Sequence, residues 1–237
     1  MDDATLILLG TAASIGFLHT LIGIDHSLPF VVVGRSRGWS LGKLLGVTAL
    51  CGLAHVASSV AIGAIGLAMG IAVDRMEWIE SSRGELAAWL LIGLGLAYAV
   101  WGLYRARKGQ LHSHFHVHED GTVHSHEHAH EGQHSHVHAR ARENAVTAAM
   151  LFVVFLLGPC EALIPILMVP AATQSWIAVA AVVFVFGAVT IMTMLVLVSL
   201  GHFGLRWHFS AFFERHMTTL AGLAIAASGI AMQVFGI

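Results

Sequence analysis

The sequence predicts an all-helical integral membrane protein, and two observations lead to that class. The chain of 237 residues is 57% hydrophobic and only 11% charged, whereas a soluble domain has about 25% charged residues. Six segments are also apolar over the roughly 20 residues that a helix needs to cross a bilayer. The net charge of -2 gives no reason to expect binding to nucleic acid.

The six predicted spans differ in length, and the first two are longer than a simple crossing requires. They cover about residues 5–33, 44–73, 86–104, 146–171, 176–200 and 217–235. Gly23 and Pro29 predict a break in the first span, because both residue types interrupt helices. In the fourth span, Glu161 lies between Pro159 and Pro165, where freed backbone groups can face a cavity.

Basic residues between the spans predict the orientation. The loops after spans one, three and five hold 10 of the 12 Lys and Arg, whereas the opposite side holds only Arg75 and Arg83. The positive-inside rule therefore places the three odd loops in the cytoplasm and the N-terminus outside. We expect a multi-pass protein of a bacterial-type plasma (inner) membrane, with the lipid bilayer as its first partner.

Short matches between the two halves of the chain predict an inverted repeat. Asp25 precedes Pro29 as Glu161 precedes Pro165, at an offset of 136 residues, and Gly52 matches Gly187 at nearly the same offset. An odd number of helices in each half makes the two copies inverted, which is a recurrent transporter plan. The predicted units are residues 1–110 and 144–237, separated by a histidine-rich loop at 111–143.

Polar side chains inside the predicted spans indicate a metal site at the membrane midplane. Each such group costs about 2.5–3.5 kcal/mol on insertion scales, so it needs a function or a partner. Nitrogen and sulfur donors suit nickel, cobalt, zinc and copper. His19 and His26 would lie about 10 Å apart along a regular helix, so either the helix loosens near Gly23 or other spans supply the missing ligands. The predicted ligands are His19, Asp25, His26, His55, Glu161, Cys51 and Cys160.

Structural roles remain open for several of these residues. His55 can be a buried histidine bonded to a serine, and Asp25 and His26 can form a structural ion pair. Free cysteines such as Cys51 and Cys160 are common in apolar packing.

Eleven of the 17 histidines fall in the predicted cytoplasmic loop. They form three imperfect copies of an alternating pattern that is typical of metal binding, and we favour a disordered segment that wraps metal flexibly. A cytoplasmic metallochaperone is a candidate partner. The predicted loop ligands are His112, His114, His116, His118, His124, His126, His128, His130, His134, His136 and His138.

The stretch His19-Thr-Leu-Ile-Gly-Ile-Asp25-His26 resembles the first helix of the HupE/UreJ family of nickel transporters. It is also similar to the wider nickel/cobalt transporter superfamily, including the UreH-like permeases, although the spacing is one residue longer here. Ala54-His55-Val-Ala-Ser58-Ser59 resembles the second-helix motif of those families. The resemblance implies that His19, Asp25, His26 and His55 form the ion site.

Gly158-Pro-Cys-Glu161 resembles the Pro-Cys motif of membrane thiol-relay proteins, which use two cysteines at equivalent places in their halves. Here the residue 136 positions before Cys160 is Ile24, not Cys51. The motif also resembles the sulfite-exporter-like group, but acids and imidazoles at membrane depth favour a cation over an anion.

The sequence therefore predicts a secondary transporter, not an enzyme, that moves a divalent transition metal as its substrate. Nickel or cobalt is favoured over zinc or copper, and uptake slightly over efflux. Two alternatives remain: a thiol-disulfide electron relay that uses Cys51 and Cys160, and a metal sensor that transports nothing.

Overall fold

The computed structural model describes residues 3–71, 73–108, 112–117, 123–128, 136–160, 162–172, 175–204 and 211–235. This part of the chain is helical apart from one short hairpin. The first half holds α1 (Asp3–Ile22), α2 (Leu28–Arg37), α3 (Leu41–Ala68) and α4 (Val73–Lys108). The second half holds α5 (His136–Leu157), α6 (Leu163–Ala172), α7 (Trp176–Gly204) and α8 (Ala211–Phe235).

Five of the described helices, α1, α3, α4, α7 and α8, are long and apolar enough to cross a membrane. Large apolar side chains also cover the outside of the bundle, where Ile177 is 87% and Phe184 75% exposed. Such a surface is stable against lipid and unstable against water. The prediction of a multi-pass helical membrane protein in contact with a bilayer is thus confirmed at this level.

The first and fourth predicted spans are each divided into two helices. A 3₁₀ turn, Ile24–His26, separates α1 from α2, and Pro29 lies in the first turn of α2. The predicted break near Gly23 is therefore confirmed. In the fourth span, α5 ends at Leu157 and α6 begins at Leu163. Proline cannot donate a backbone hydrogen bond, so Pro159 favours a helix end here.

Small residues allow α4 and α8 to pack backbone against backbone. A Cβ atom added to Gly95 would lie 2.4 Å from the amide nitrogen of Ala226, and one added to Gly222 would lie 2.3 Å from that of Ala99. Close approach through glycine is the usual way that membrane helices gain packing contacts. This pair joins the last helix of each half.

Gly95→Ala is expected to destabilise the protein by about 1–3 kcal/mol, because the new methyl group meets backbone that cannot rotate away. Gly93→Ala is the matched control, since nothing lies within 4 Å of a Cβ at that position. Unfolding of both variants in detergent, followed by circular dichroism, measures the difference. Equal stability of the two variants would contradict the packing described.

Several helices meet at one end of the bundle, named here the basic end because Arg35, Arg37, Arg105 and Arg107 lie there, at the ends of α2 and α4. The Ser36 hydroxyl donates to Thr218 Oγ1 at 3.2 Å, and the Trp39 indole donates to Asn144 Oδ1 at 3.1 Å. The Arg37 guanidinium lies 4.9 Å from the centre of the Trp101 ring. The end of α2 thus lies beside the last third of α4 and the first halves of α5 and α8.

The histidine-rich loop contains a hairpin of two antiparallel strands, β1 (His112–Val117) and β2 (Val123–His128). His112 pairs with His128, and His116 with His124. The sequence predicted a disordered loop, whereas residues 112–117 and 123–128 pair as antiparallel strands.

Candidate functional site

Three histidines from separate segments converge inside the helical bundle. His19 lies in the last turn of α1, His26 in the 3₁₀ turn and His55 in α3. The ring centres of His19 and His26 are 4.7 Å apart, and those of His26 and His55 are 5.2 Å apart. One potential ligand nitrogen from each of the three rings lies within 4.8 Å of the others.

The break after α1 is what brings His19 and His26 together. The amide of Gly23 donates to the carbonyl of His19 at 3.0 Å, which closes the last turn of the helix. A Cβ at position 23 would lie only 2.5 Å from His26 Nδ1, so any residue larger than glycine would displace this ring. Without the break, the two rings would be separated by about 10 Å along the helix axis.

Four ring nitrogens of this cluster lack hydrogen-bond partners in the described part of the chain. Among the residues that the structure describes, His19 Nε2, His26 Nε2 and both nitrogens of His55 are buried without a hydrogen bond. Buried polar atoms are nearly always satisfied, so four such atoms in one place point to a ligand. Imidazole binds Zn²⁺ at about 2.0–2.1 Å, so the three nitrogens would have to move closer together to hold one ion.

Asp25 lies next to this cluster and contacts it through His26. Its Oδ1 atom is 3.1 Å from His26 Nδ1. A carboxylate in this position fixes the ring and leaves Nε2 as the available donor, as in many metal sites. Asp25 is therefore placed to orient a ligand.

The predicted cysteine ligands lie outside the three-histidine group. Cys51 is buried among apolar side chains that include Phe30 and Met194. Cys160 belongs to a second apolar cluster with Phe186. Both are free thiols. Glu161 lies outside the described residues, as do His118, His130 and His134 of the loop.

The two thiols lie at different depths along α3. Cys51, His55 and Ser59 are four residues apart in turn and share one face of this helix. The amide of Cys160 donates to Ser59 Oγ at 3.1 Å, so Cys160 is level with Ser59. The backbone positions of Cys51 and Cys160 are consequently separated by about 12 Å along α3. A disulfide requires Cα atoms within about 7 Å, so the cysteines are unpaired in this conformation.

Two functional candidates, Glu80 and Arg83, were missed by the sequence analysis. It began the third span at residue 86 and assigned the charges before it to an outer loop, whereas α4 is continuous from Val73. Glu80 is fully buried and forms an ion pair with Arg83. Opposite charges three residues apart on a helix are a recognisable pair, and that spacing was the signal available.

This ion pair connects α3 and α4 to the break between α5 and α6. Glu80 Oε2 accepts hydrogen bonds from the Ser59 hydroxyl at 2.8 Å and from the amide of Cys160 at 3.1 Å. The Arg83 guanidinium donates to the carbonyl of Leu156 at 2.9 Å. It also donates to Ser58 Oγ at 2.8 Å. We refer to Ser58, Ser59, Glu80 and Arg83 as the Glu80–Arg83 network.

Comparison with known protein families gives a match over most of the chain. The family described as the cytochrome C biogenesis protein transmembrane region matches residues 48–231. No curated protein and no solved structure matches the chain.

The family match corrects the resemblance to nickel/cobalt permeases. The prediction of metal transport, with nickel or cobalt as the transported ion, was wrong. It depended on short motifs, and the one that contains His19 and His26 lies before the matched segment, which starts at residue 48. Similar short patterns of imidazole and carboxylate arise wherever a membrane core needs polar groups, so they do not identify a family by themselves.

The matched segment, in contrast, includes α4, α5, α6 and α7 completely, together with both cysteines and the Glu80–Arg83 network. The chain belongs to the family of the cytochrome c biogenesis protein transmembrane region.

Proposed function

We propose that this chain is a membrane thiol-disulfide relay of the cytochrome c biogenesis type, with Cys160 and Cys51 as its two working thiols. The observation that carries the proposal is the family match over residues 48–231, which contains both cysteines. Both are free and buried on one side of α3. The alternative that the sequence analysis kept open thus replaces its main prediction.

The reaction is a two-step thiol-disulfide exchange. The Cys160 thiolate attacks one sulfur of a partner's disulfide, forms a mixed disulfide and releases the other partner sulfur as a thiolate. The Cys51 thiolate then attacks the Cys160 sulfur and releases the second partner thiolate. The partner gains two electrons and takes up two protons, while the chain is oxidised to a Cys51–Cys160 disulfide. A second dithiol protein reduces this disulfide by the reverse exchange.

Cys160 is the better placed of the two thiols to attack first. It precedes α6, and its carbonyl accepts a hydrogen bond from the amide of Leu163 at 2.9 Å in the first turn of that helix. A thiol at a break between helices becomes accessible by local opening more easily than one inside a continuous helix. Cys51 lies in the middle of α3 among apolar side chains, so it serves as the resolving thiol.

The second step needs a change of conformation. The two cysteines must approach each other by about 5 Å, or one helical turn, before a disulfide can form. The interruption between α5 and α6 is the place where such a shift is least costly, because few backbone hydrogen bonds must break there.

The packing is consistent with two inverted three-helix halves. In the first half, α1 of the first span packs on α7 of the second half. In the second half, α5 and α6 of the fourth span, which is the counterpart of the first span, pack on α3 of the first half. Gly52 of α3 faces Met194 of α7, and Gly187 of α7 faces Val56 of α3. Such reciprocal contacts are what a two-fold axis between the halves produces. We place the basic end and the histidine-rich loop on the cytoplasmic side of an inner membrane, and the N-terminus on the opposite side.

Exchange with glutathione disulfide tests this function. The reduced protein in lipid nanodiscs is mixed with glutathione disulfide, and the released glutathione is measured. We expect wild type to release two molecules of glutathione per chain, since each electron pair that leaves the chain reduces one disulfide. The Cys51→Ser/Cys160→Ser double variant is the blank. Release from wild type no greater than from the blank would refute the relay.

The three-histidine cluster favours a second function, which is the binding of a transition-metal ion without transport, as in a membrane metal sensor. The observation behind it is the group of unpartnered ring nitrogens of His19, His26 and His55 in the described part of the chain. Nitrogen donors suit Zn²⁺, Cu²⁺, Ni²⁺ and Co²⁺. The loop histidines would collect the same ions in the cytoplasm, where a metallochaperone can exchange them. Metal titration of histidine variants tests this function.

A further inference from the structure

The break between α5 and α6 exposes backbone groups that a membrane interior cannot hydrate. An α-helix ends with carbonyl groups that lack intrahelical partners, and the next helix starts with amides that lack them too. Inside a bilayer each such group must find a protein partner. Here two oppositely charged side chains of α4 are the partners, together with a serine of α3.

Arg83 satisfies the carbonyl side of the break. Its guanidinium donates to the carbonyl of Leu156 at 2.9 Å and to that of Gly158 at 3.4 Å. A cation is favourable at this position, because the C-terminal end of a helix carries a partial negative charge. The side chain is only 14% exposed, so water screens these bonds little.

Glu80 satisfies the amide side of the break. Its Oε2 atom accepts from the amide of Cys160 at 3.1 Å and from the Ser59 hydroxyl at 2.8 Å. The Ser59 oxygen also accepts from the Cys160 amide. An anion is favourable here, because the amides before α6 form the positive end of that helix. The backbone of Cys160 is therefore held from two sides.

We infer that Glu80 and Arg83 are positioning residues that fix the Cys160 thiol in place by holding the two ends of the α5–α6 break. This inference rests on the proposed relay for its purpose, because an attacking thiol must be presented in one geometry. The pair acts on Cys160 and not on Cys51, which lies about 12 Å further along α3.

Alkylation rates of the two cysteines test the inference. Cys160 is measured in a Cys51→Ala background, and Cys51 in a Cys160→Ala background, with a maleimide that crosses membranes. Glu80→Ala and Arg83→Ala are each expected to raise the rate at Cys160 about ten-fold, because local opening of the break exposes the thiol. The rate at Cys51 is expected to stay within about two-fold, since α3 remains folded.

Glu77→Ala and Arg75→Ala are matched controls on the same helix, because both side chains are exposed, and neither should change the rate at Cys160. Glu80→Ala and Arg83→Ala each leave one buried charge unpaired, which can prevent folding. Ser59→Ala keeps both charges and removes one contact to the Cys160 amide, so it tests the inference in that case. It should also raise the Cys160 rate. Parallel increases at both cysteines, or no increase at Cys160, would overturn the inference. Failure of wild type to reduce glutathione disulfide would refute the relay and leave these rates unchanged.

Discussion

Replacing His26 with alanine is expected to remove metal binding from the bundle core. The ring of His26 lies between the other two, with its centre 4.7 Å from that of His19 and 5.2 Å from that of His55. Its loss leaves two donors, so affinity for Zn²⁺ should fall about 100-fold or more, because loss of an outer partner alone costs about 10–100-fold. Asp25 is such an outer partner, so Asp25→Asn should lower the Zn²⁺ affinity by about 10–100-fold.

The loop histidines would mask this effect, because their eleven imidazoles would compete for the same ions. The titration therefore uses a background in which all eleven are serine. His202→Ala is the matched control, since His202 is near the end of α7 and outside the three-histidine group. Equal Zn²⁺ affinity in His26→Ala and His202→Ala would show that the cluster holds no metal.

Removing Cys51 is expected to stop the relay halfway. In Cys51→Ser, Cys160 still attacks glutathione disulfide, but no second thiol resolves the product, so a mixed disulfide with glutathione accumulates. Cys160→Ser should form no such adduct at Cys51, because that thiol is packed within α3. Intact-mass spectrometry of both variants after acid quenching measures the adducts.

The asymmetry between the two variants is the informative result. The adduct on Cys51→Ser should approach one per chain, while Cys160→Ser should remain near background. Similar adduct levels on both variants would contradict the assignment of Cys160 as the attacking thiol. The opposite asymmetry would assign that role to Cys51.

The sequence was informative where local chemistry decides the structure. Gly23 and Pro29 predicted a break in the first span, and this break brings His19 and His26 together, which was one of the two arrangements that the sequence left open. The spacing of apolar residues located most of the helices, because a bilayer imposes length and composition on each span. These features depend on neighbours in the chain, so they could be read from it.

Features that depend on distant contacts were not predictable. Hydropathy assigned Glu80 and Arg83 to an outer loop, because a count of charges ignores that two charges can neutralise each other inside a helix bundle. Cys51 shares a helix face with His55, but the rings of His19 and His26 approach α3 at the level of His55, so the thiol stays outside the ligand group. Family membership came from a long match and not from motifs.

The central claim is that Cys51 and Cys160 form a redox pair, and the most direct test is to look for their disulfide. Wild type in lipid nanodiscs is incubated with glutathione disulfide, alkylated, digested and mapped by mass spectrometry. The account predicts a peptide that joins Cys51 to Cys160 within one chain, and its disappearance after reduction. If both thiols remain free, or if cysteines link only between copies, the relay is contradicted.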